Sequence, residues 1–327
     1  MPFQALPDEP LVSILMPAYN AELYIKTAIE SIISQTYPNW QLLICDDGSV
    51  DGTYSVICDF SDSRIKLFKN SNNIGNVKTV NFLIKQCEGE LFTLLDADDW
   101  CLEHRILHQV EAFLADNELG LCGTQSVKVK SNGNVIKKSN FPLTYEHIKS
   151  ALPNDYLFTS ASVMVRSEII DKSSDAFPEF FDRLGGSDWY FFGALILKFK
   201  MINLPLYCYF YRYHDASITN SRPASEDKYI IGEVVAFLVN QRIQFGTDGL
   251  SNDAMLKHAL NDKILELRAP YLEDEALLDR KYAIRLLFNK KIEGLYLLIN
   301  DFISGPMKAS VFYYQVLSKM VRRKVFK

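Results

Sequence analysis

Over the first hundred positions, apolar residues come in short solid runs with polar segments and amphipathic stretches between them. Residues 11–16 (LVSILM) form one such run, stopped by Pro17, and read as a strand buried on both faces, as in a parallel sheet. The polar loop PAYNAE leads into a predicted helix over 23–35, with Ile25, Ala28, Ile29, Ile32 and Ile33 along one side. Residues 40–45 (WQLLIC) predict a second strand, ending in Asp46-Asp47-Gly48-Ser49. Asp51 is placed to cap a helix running through Val56 to Phe60. A third short strand at 65–68 precedes the loop NSNNIGN and a helix over 77–87, and a fourth strand covers 91–95. Strands alternating with helices in this way predict a right-handed α/β unit with a largely parallel sheet. Ligands of such sheets bind at the carboxyl ends of the strands. Those ends here carry PAYN, DDGS, NNIGN and DADD, so polar, acidic and glycine-bearing segments are expected to meet at one edge.

The fourth strand ends in three carboxylates, Asp96, Asp98 and Asp99. An unpaired carboxylate is too costly for a strand core, so these acids must reach water or a cation. In an extended segment Asp96 and Asp98 point one way and Asp99 the other. Two acids on one face suit a hard divalent ion that also carries substrate phosphates. An acidic turn capping the next helix accounts for them as well, and the residues alone leave both open. The loop after the first strand has no glycine, which argues against a dinucleotide cofactor.

Beyond residue 100 the pattern predicts a helix at 103–114 and strands at 121–129 and 162–165, with SNGN (131–134) as a hairpin turn. Asp188 stands at the head of a predicted helix over 189–197, where an aspartate needs no role beyond capping. An aromatic strand follows at 205–213. From Glu226 onward the pattern is helical, over 226–245, 252–268 and 274–289, which predicts a catalytic-type domain over 1–222 and a helical region over 223–327. Residues 307–327 carry six Lys or Arg and no acid, with apolar residues at helical spacing. That pattern fits a helix lying on a membrane surface, or a packed helix with a solvated charged edge.

At 327 residues, 48% hydrophobic and 23% charged, the chain has an ordinary globular composition. A net charge of -5 gives no reason to expect a nucleic-acid partner. Six cysteines without a CxxC pair argue for a reducing compartment, without disulfides or a zinc site. The opening MPFQALPDEP is too acidic and proline-rich for a secretory signal. The apolar stretch 191–211 is broken by Lys198, Lys200, Asn203 and Pro205, against a membrane span. A cytoplasmic location follows as the expectation.

Four segments, VSILMPAYN (12–20), SQTYPNWQLLICDDGSVDGT (34–53), NNIGN (72–76) and GELFTLLDADD (89–99), together resemble the family 2 glycosyltransferases, nucleotide-sugar enzymes with the Rossmann-like GT-A fold. The resemblance implies that main chain at Pro17, Ala18 and Tyr19 and the carboxylate of Asp47 hold the uracil of a UDP-sugar, with Asn20, Glu22, Gly75 and Ala97 in the same donor site. Asp46 is then the turn former, Asp96 faces the ribose, and Asp98 binds Mn2+ or Mg2+ bridging the diphosphate. Lys78 stands near where the family often has an arginine. Residues 157–164 resemble a strand bordering the acceptor site. Asp188 matches the general base, with Ser187 in place of the usual glutamate, and Trp189 either stacks on an acceptor sugar or packs. Tyr211, Arg212, His214, Ser217 and Thr219 are similar to a YRxHxxSxT segment, making Arg212 a cation for phosphate or for an acid and His214 a candidate metal ligand. The other histidines, 104, 108, 147 and 258, show no ligand spacing.

The function so implied is inverting, metal-dependent transfer of a sugar from a nucleotide-sugar to a hydroxyl of a glycan or lipid-linked oligosaccharide. Peripheral membrane contact through 307–327 and a homo-oligomer are compatible with it. A polymerising glycan synthase would show a QxxRW segment and membrane spans, and neither is in the sequence. A sugar-nucleotide-forming nucleotidyltransferase expects a glycine-rich, basic first loop. A non-catalytic nucleotide-sugar-binding relative predicts losses among Asp47, Asp98 and Asp188, and all three are present.

Overall fold

The structure is a computed structural model that describes residues 3–214, 225–288, 292–304, 309–310 and 312–313. In chain order the elements are β1 (Val12–Ala18), α1 (Ile25–Ile33), β2 (Trp40–Asp46), α2 (Thr53–Cys58), β3 (Ile65–Lys69), α3 (Asn76–Lys85), β4 (Leu91–Leu94), β5 (Trp100–Cys101) and α4 (Arg105–Ala115). Then follow β6 (Leu119–Lys130), β7 (Val135–Lys138), α5 (Tyr145–Ala151), β8 (Met164–Arg166), α6 (Ser187–Leu195), β9 (Lys200–Tyr213), α7 (Asp227–Phe245), α8 (Ala254–Glu273), α9 (Leu277–Phe288) and α10 (Ile292–Ser304).

The strands form one mixed sheet in the order β3-β2-β1-β4-β8-β6-β9-β5, with β7 paired to β6. The first four are parallel, as the alternation of strand and helix predicts. β8 enters antiparallel to both β4 and β6, and β6 and β9 are parallel to each other. β1 is apolar except for Ser13, whose hydroxyl accepts from Gln41 Nε2 and the Gly89 amide, because helices cover both its faces. Val12, Ile14 and Met16 share one core with Ile25, Ala28, Ile29 and Ile32 of α1, while Leu15 shares another with Val77, Val80, Leu83 and Ile84 of α3. Each such aliphatic side chain stabilises the fold by roughly 1.5–3 kcal/mol when fully buried.

Several boundaries differ from expectation. β1 continues through Pro17 to Ala18. The Leu95 amide donates to the Leu15 carbonyl at 3.0 Å, and β1 has no partner on the β4 side beyond it. Pro17, two residues on, faces that same side, so its missing N–H breaks no ladder. Residues 157–164 are mostly not a strand: a 3₁₀ turn covers Ser160–Ser162 and only Met164 joins β8. The hydroxyl of Ser162 donates to the Thr159 carbonyl at 2.8 Å, the local bonding by which serine competes with extended backbone. α8 runs on past Arg268, through Pro270, to Glu273. Both Pro270 and Glu266 are exposed, so water can serve the carbonyl that Pro270 leaves without a donor. All six cysteines are free.

The chain divides into two compact units. The first comprises Met1–Asn220 and Ile231–Lys257, and holds the sheet. Within it α7 packs on α6, where Cβ atoms at Gly186 and Gly193 would collide with Val235 and Val239. The second comprises Ser221–Ile230 and His258–Lys327. Its described part is helical and is fastened by Arg280, paired with Asp274 and at 2.7 Å with Asp301, and by Arg268 paired with Asp227 at 2.6 Å. No helix among the described residues is long and apolar enough to cross a membrane.

Candidate active site

The carboxyl ends of β1, β2 and β4 open at one edge of the sheet. The loop after β1 is bound to the loop after β2 by reciprocal hydrogen bonds. Asn20, at a left-handed φ of 50°, donates its amide to Ser49 Oγ (3.0 Å) and accepts the Val50 amide on Oδ1 (3.0 Å). The Glu22 amide donates to Asp51 Oδ2 at 3.2 Å, and Glu22 Oε2 accepts the Gly52 amide at 2.9 Å. Asn20 and Glu22 therefore shape the loops, while Tyr19 remains 47% exposed between them and solvent.

Asp46 and Asp47 are both buried, with different tasks. Asp46 Oδ1 accepts the Ser49 amide (3.1 Å) and forms the turn, and its Oδ2 has no partner among the described residues. Asp47 ties β2 to the loop before α3: Oδ1 accepts from Asn70 Nδ2 (2.7 Å) and the Ile74 amide (3.0 Å), and Oδ2 from the Gly75 amide (3.0 Å). A carboxylate offers about four acceptor positions, so roughly one is left for a ligand donor. Gly75 has φ 100°, and a Cβ there would strike the Asp182 carboxylate. Lys78 lies at 2.5 Å from Glu179, which raises its pKa, with Asp182 adding to the effect. Both partners are largely exposed, a setting in which an ion pair is weak and exchanges readily.

The acids after β4 separate into three roles. Asp99 is fully buried, accepting the Tyr209 hydroxyl at 2.6 Å and the Arg212 amide at 2.7 Å. It fastens the motif to β9, and burial together with the neighbouring Asp96 and Asp98 holds its pKa well above the ordinary range. Asp98 Oδ2 lies 2.8 Å from His214 Nε2, and its carbonyl accepts Arg212 Nε at 2.8 Å. The Arg212 guanidinium lies 4.5 Å from the Trp100 ring centroid and 4.9 Å from that of Tyr24, a stacked and fixed cation. The Tyr24 ring also lies 4.7 Å from the His214 ring. Burial pushes Asp96 up to about 7, with Asp98 and Asp188 adding to the rise and Arg105 opposing it. Ala97 packs into the core and contributes only main chain here.

Asp188 reaches the same place from the other half of the sheet. The N-cap of α6 is Gly186, at a left-handed φ of 82°, so Asp188 lies in the first turn and not at the cap. Its Oδ1 accepts the Trp189 amide at 2.9 Å and its Oδ2 accepts the Tyr156 hydroxyl. Desolvation of that hydroxyl, beneath a ring 37% exposed, and the Asp188 carboxylate hold Tyr156 well above an ordinary tyrosine. Trp189 packs: its indole N–H donates to the Leu152 carbonyl at 2.8 Å and its ring lies against the apolar core.

Asp98 and Asp188, from opposite halves of the sheet, are thus both near enough to Asp96 to raise its pKa. Among the described residues no group of three or more His, Cys, Asp or Glu side chains is arranged to hold a metal ion. Among the described residues the Asp98–His214 pair is what could contribute to a coordination shell, which fits an ion that takes other ligands from phosphate and water.

Four contributors have no signature in the sequence. Tyr24 and Tyr156 are single aromatics whose partners lie far along the chain. Asp99 looks like its neighbours until β9 is in place. Arg105 is fully buried and donates to Thr93 Oγ1 (2.5 Å), to the Leu94 carbonyl (3.3 Å) and to the Ala161 carbonyl (2.9 Å) behind the site. A charged residue heading an amphipathic helix reads as surface. Ser217 and Thr219 lie outside the described residues.

Comparison with known proteins adds the following. Residues 13–173 match the model of glycosyl transferase family 2. The glucosyltransferase WfgD of Escherichia coli, named as acting from UDP-Glc on alpha-D-GlcNAc-diphosphoundecaprenol, is 30% identical over 217 residues, which is 66% of this chain and 82% of that protein. WfaP of Escherichia coli, with the same named activity, is 39% identical over 100 residues, covering 31% of this chain and 40% of that one. Among solved structures, Staphylococcus aureus TarS 1-349 in complex with UDP-GlcNAc superposes with a TM-score of 0.57 at 19% identity, covering 90% of this chain and 91% of that one. A mannosyltransferase of Pyrobaculum calidifontis in complex with GDP-Man and Mn2+ superposes with a TM-score of 0.51 at 17% identity, covering 98% of this chain and 84% of that one. At such identities the structural likeness speaks for the fold alone.

Proposed function

This chain belongs to glycosyl transferase family 2, and we propose that it transfers a sugar from a nucleotide-sugar, foremost a UDP-sugar, to a hydroxyl of a glycan or lipid-linked acceptor, with inversion at the anomeric carbon. The observation that carries the reading is the return of Arg212 and His214 to Asp98 after β4, with Asp188, from the first turn of α6, near enough to raise the pKa of Asp96. The UDP-sugar named for the Escherichia coli relative and the UDP-GlcNAc bound in the TarS structure support a UDP-linked donor.

In this reading Asp47, with one acceptor position left, takes the ring N–H of uracil, and main chain at Pro17, Ala18 and Tyr19 lies along the base. Asn20, Glu22, Gly75 and Ala97 shape that site through the backbone, and Asp96 faces the ribose. Lys78 reaches the donor only by leaving Glu179. Asp98 and His214 hold Mn2+ or Mg2+, whose chemistry is to stabilise negative charge on the departing diphosphate. Arg212, fixed between Tyr24 and Trp100, adds a cation at the same end. Asp188 takes the proton of the acceptor hydroxyl, whose oxygen attacks the anomeric carbon on the face opposite the nucleotide. The Tyr156 hydroxyl and Trp189 amide hold the carboxylate still. General-base assistance of this kind is worth about 10²–10⁴-fold.

A catalytically silent nucleotide-sugar-binding protein is the competing reading. It offers no reason for Asp188 to be hydrogen-bonded at both oxygens beside the donor acids. The division into a catalytic domain over 1–222 and a helical region over 223–327, and anionic-lipid contact by 307–327, also stand as proposals. Most of that last segment lies outside the described residues, and liposome flotation after deleting it tests the lipid contact. For the donor, a panel of UDP- and GDP-sugars is scored by thermal shift with and without Mn2+. A ligand at a hundred times its Kd stabilises by about 2.7 kcal/mol. Metal-dependent stabilisation by a UDP-sugar is the expected result, and no response to any nucleotide-sugar would overturn the proposal.

A further inference from the structure

The hairpin of β6 and β7 ends at the edge that carries the acids, Val129 standing level with Arg212 of β9, without contributing a residue to the site. β4 and β6 are level where Thr93 and Cys122 both face Met164 of β8. β4 ends one residue later, at Leu94, whereas β6 runs seven residues past that level, to Lys130. At roughly 3.3 Å per residue this is about 20 Å of further strand. Being antiparallel to β8, as β4 is, β6 extends in the direction in which β4 delivers Asp96, Asp98 and Asp99. β9 accompanies it, with Lys130 level with Tyr213. Beyond, the turn closes on Gly133 at φ 83°, and β7 pairs with β6 and with no other strand among the described residues.

Residues 130–138 are all exposed, including Val135 at 58% and Ile136 at 43%. The hairpin carries Lys128, Lys130, Lys137 and Lys138, and no acid occurs between Glu118 and Glu146, although the chain as a whole has a net charge of -5. Lys128 and Lys137 stand directly opposite one another in the strand register. Like charges so placed destabilise a strand pair, and an anion relieves them. Lys128 rests on the ring of Tyr213 (4.4 Å) and Lys138 on that of Tyr207 (5.0 Å), which holds the ammonium groups against the sheet. Two exposed aliphatic side chains among lysines at a protruding tip combine the two elements of interfacial binding, apolar insertion and attraction to anionic lipid.

We propose that the β6–β7 hairpin docks on an anionic phospholipid surface, with Val135 and Ile136 entering the headgroup layer and the lysines meeting lipid phosphates. A second copy of the chain is a poor occupant, because edge-to-edge pairing would set Lys137 and Lys138 against their own equivalents. Docking in this way turns the edge bearing the acids toward the membrane, where a lipid-linked acceptor would lie. The lipid contact itself does not depend on what the enzyme transfers.

The test uses the full chain with vesicles of phosphatidylcholine alone and of phosphatidylcholine and phosphatidylglycerol in equal parts, read by co-sedimentation. Two double variants, Lys137→Gln with Lys138→Gln and Val135→Ser with Ile136→Ser, are checked for folding by thermal melting. The wild type is expected on the phosphatidylglycerol vesicles and not on phosphatidylcholine alone. A lysine at such a surface is worth about five-fold in partitioning, so the lysine pair should cost about 25-fold, and the aliphatic pair should weaken binding without changing its lipid preference. Wild-type chain that stays off anionic vesicles overturns the proposal, as does unchanged partitioning of both variants. A dimer abolished by the aliphatic variant, with no vesicle binding, overturns it in favour of a second copy.

Discussion

Asp188 is hydrogen-bonded at both oxygens, and the two bonds have different origins. The Trp189 amide belongs to its own helix, whereas the Tyr156 hydroxyl reaches it from 32 positions away. Removing the tyrosine bond leaves the carboxylate in place with one donor fewer for its charged form. Tyr156→Phe should therefore lower kcat about ten-fold, the order expected for one hydrogen bond to a charged group. It should leave the donor KM unchanged. A kcat equal to that of the wild type would make Tyr156 a packing residue. Asp98→Ala should abolish the Mn2+-dependent part of UDP binding in calorimetry and leave the metal-independent part. Strand alternation in DADD turns Asp98 and Asp99 opposite ways without saying what each meets. β9 gives Asp99 the Tyr209 hydroxyl and the Arg212 amide, and His214, just past its end, meets Asp98.

The elements that could be read from sequence are those whose burial follows from local pattern. β1, β2 and β4 are solid apolar runs because helices cover them on both faces, and the helical spacing of Ile25, Ala28, Ile29 and Ile32 matches the side of α1 that is buried. β5 escaped notice because two residues have no periodicity; it exists through its pairing with Phe210 and Tyr209 of β9. The turn around Ser160 escaped because side-chain hydroxyls decide it. α4 shows how an element supports the site from behind: Arg105, at its first turn, binds the Leu94 and Ala161 carbonyls that flank the acids. Arg105→Leu orphans these acceptors at about 1–3 kcal/mol each. Urea unfolding should show a loss of about 2–6 kcal/mol, against less than about 0.5 kcal/mol for an exposed control such as Lys26→Leu. Equal losses in the two variants would remove Arg105 from this role.

At the scale of the molecule, one sheet carries two sets of groups to one edge. The parallel half, β1 to β4, brings the two loops, Asp47 and the acids. The mixed half, β8, β6 and β9, returns Arg212 and His214 to those acids, with Asp188 reaching them from α6. The first set lies within a hundred residues and shows as motifs. The second lies between residues 188 and 214 and is recognisable only because the first fixes where to look.

Asp188 is tested most directly by one comparison: transfer from a UDP-sugar to a lipid-linked acceptor, measured for wild type and Asp188→Asn, with UDP affinity measured in parallel. General-base catalysis by Asp188 predicts a rate lower by about 10²–10⁴-fold at unchanged UDP affinity. Near-normal transfer by the variant would contradict the account.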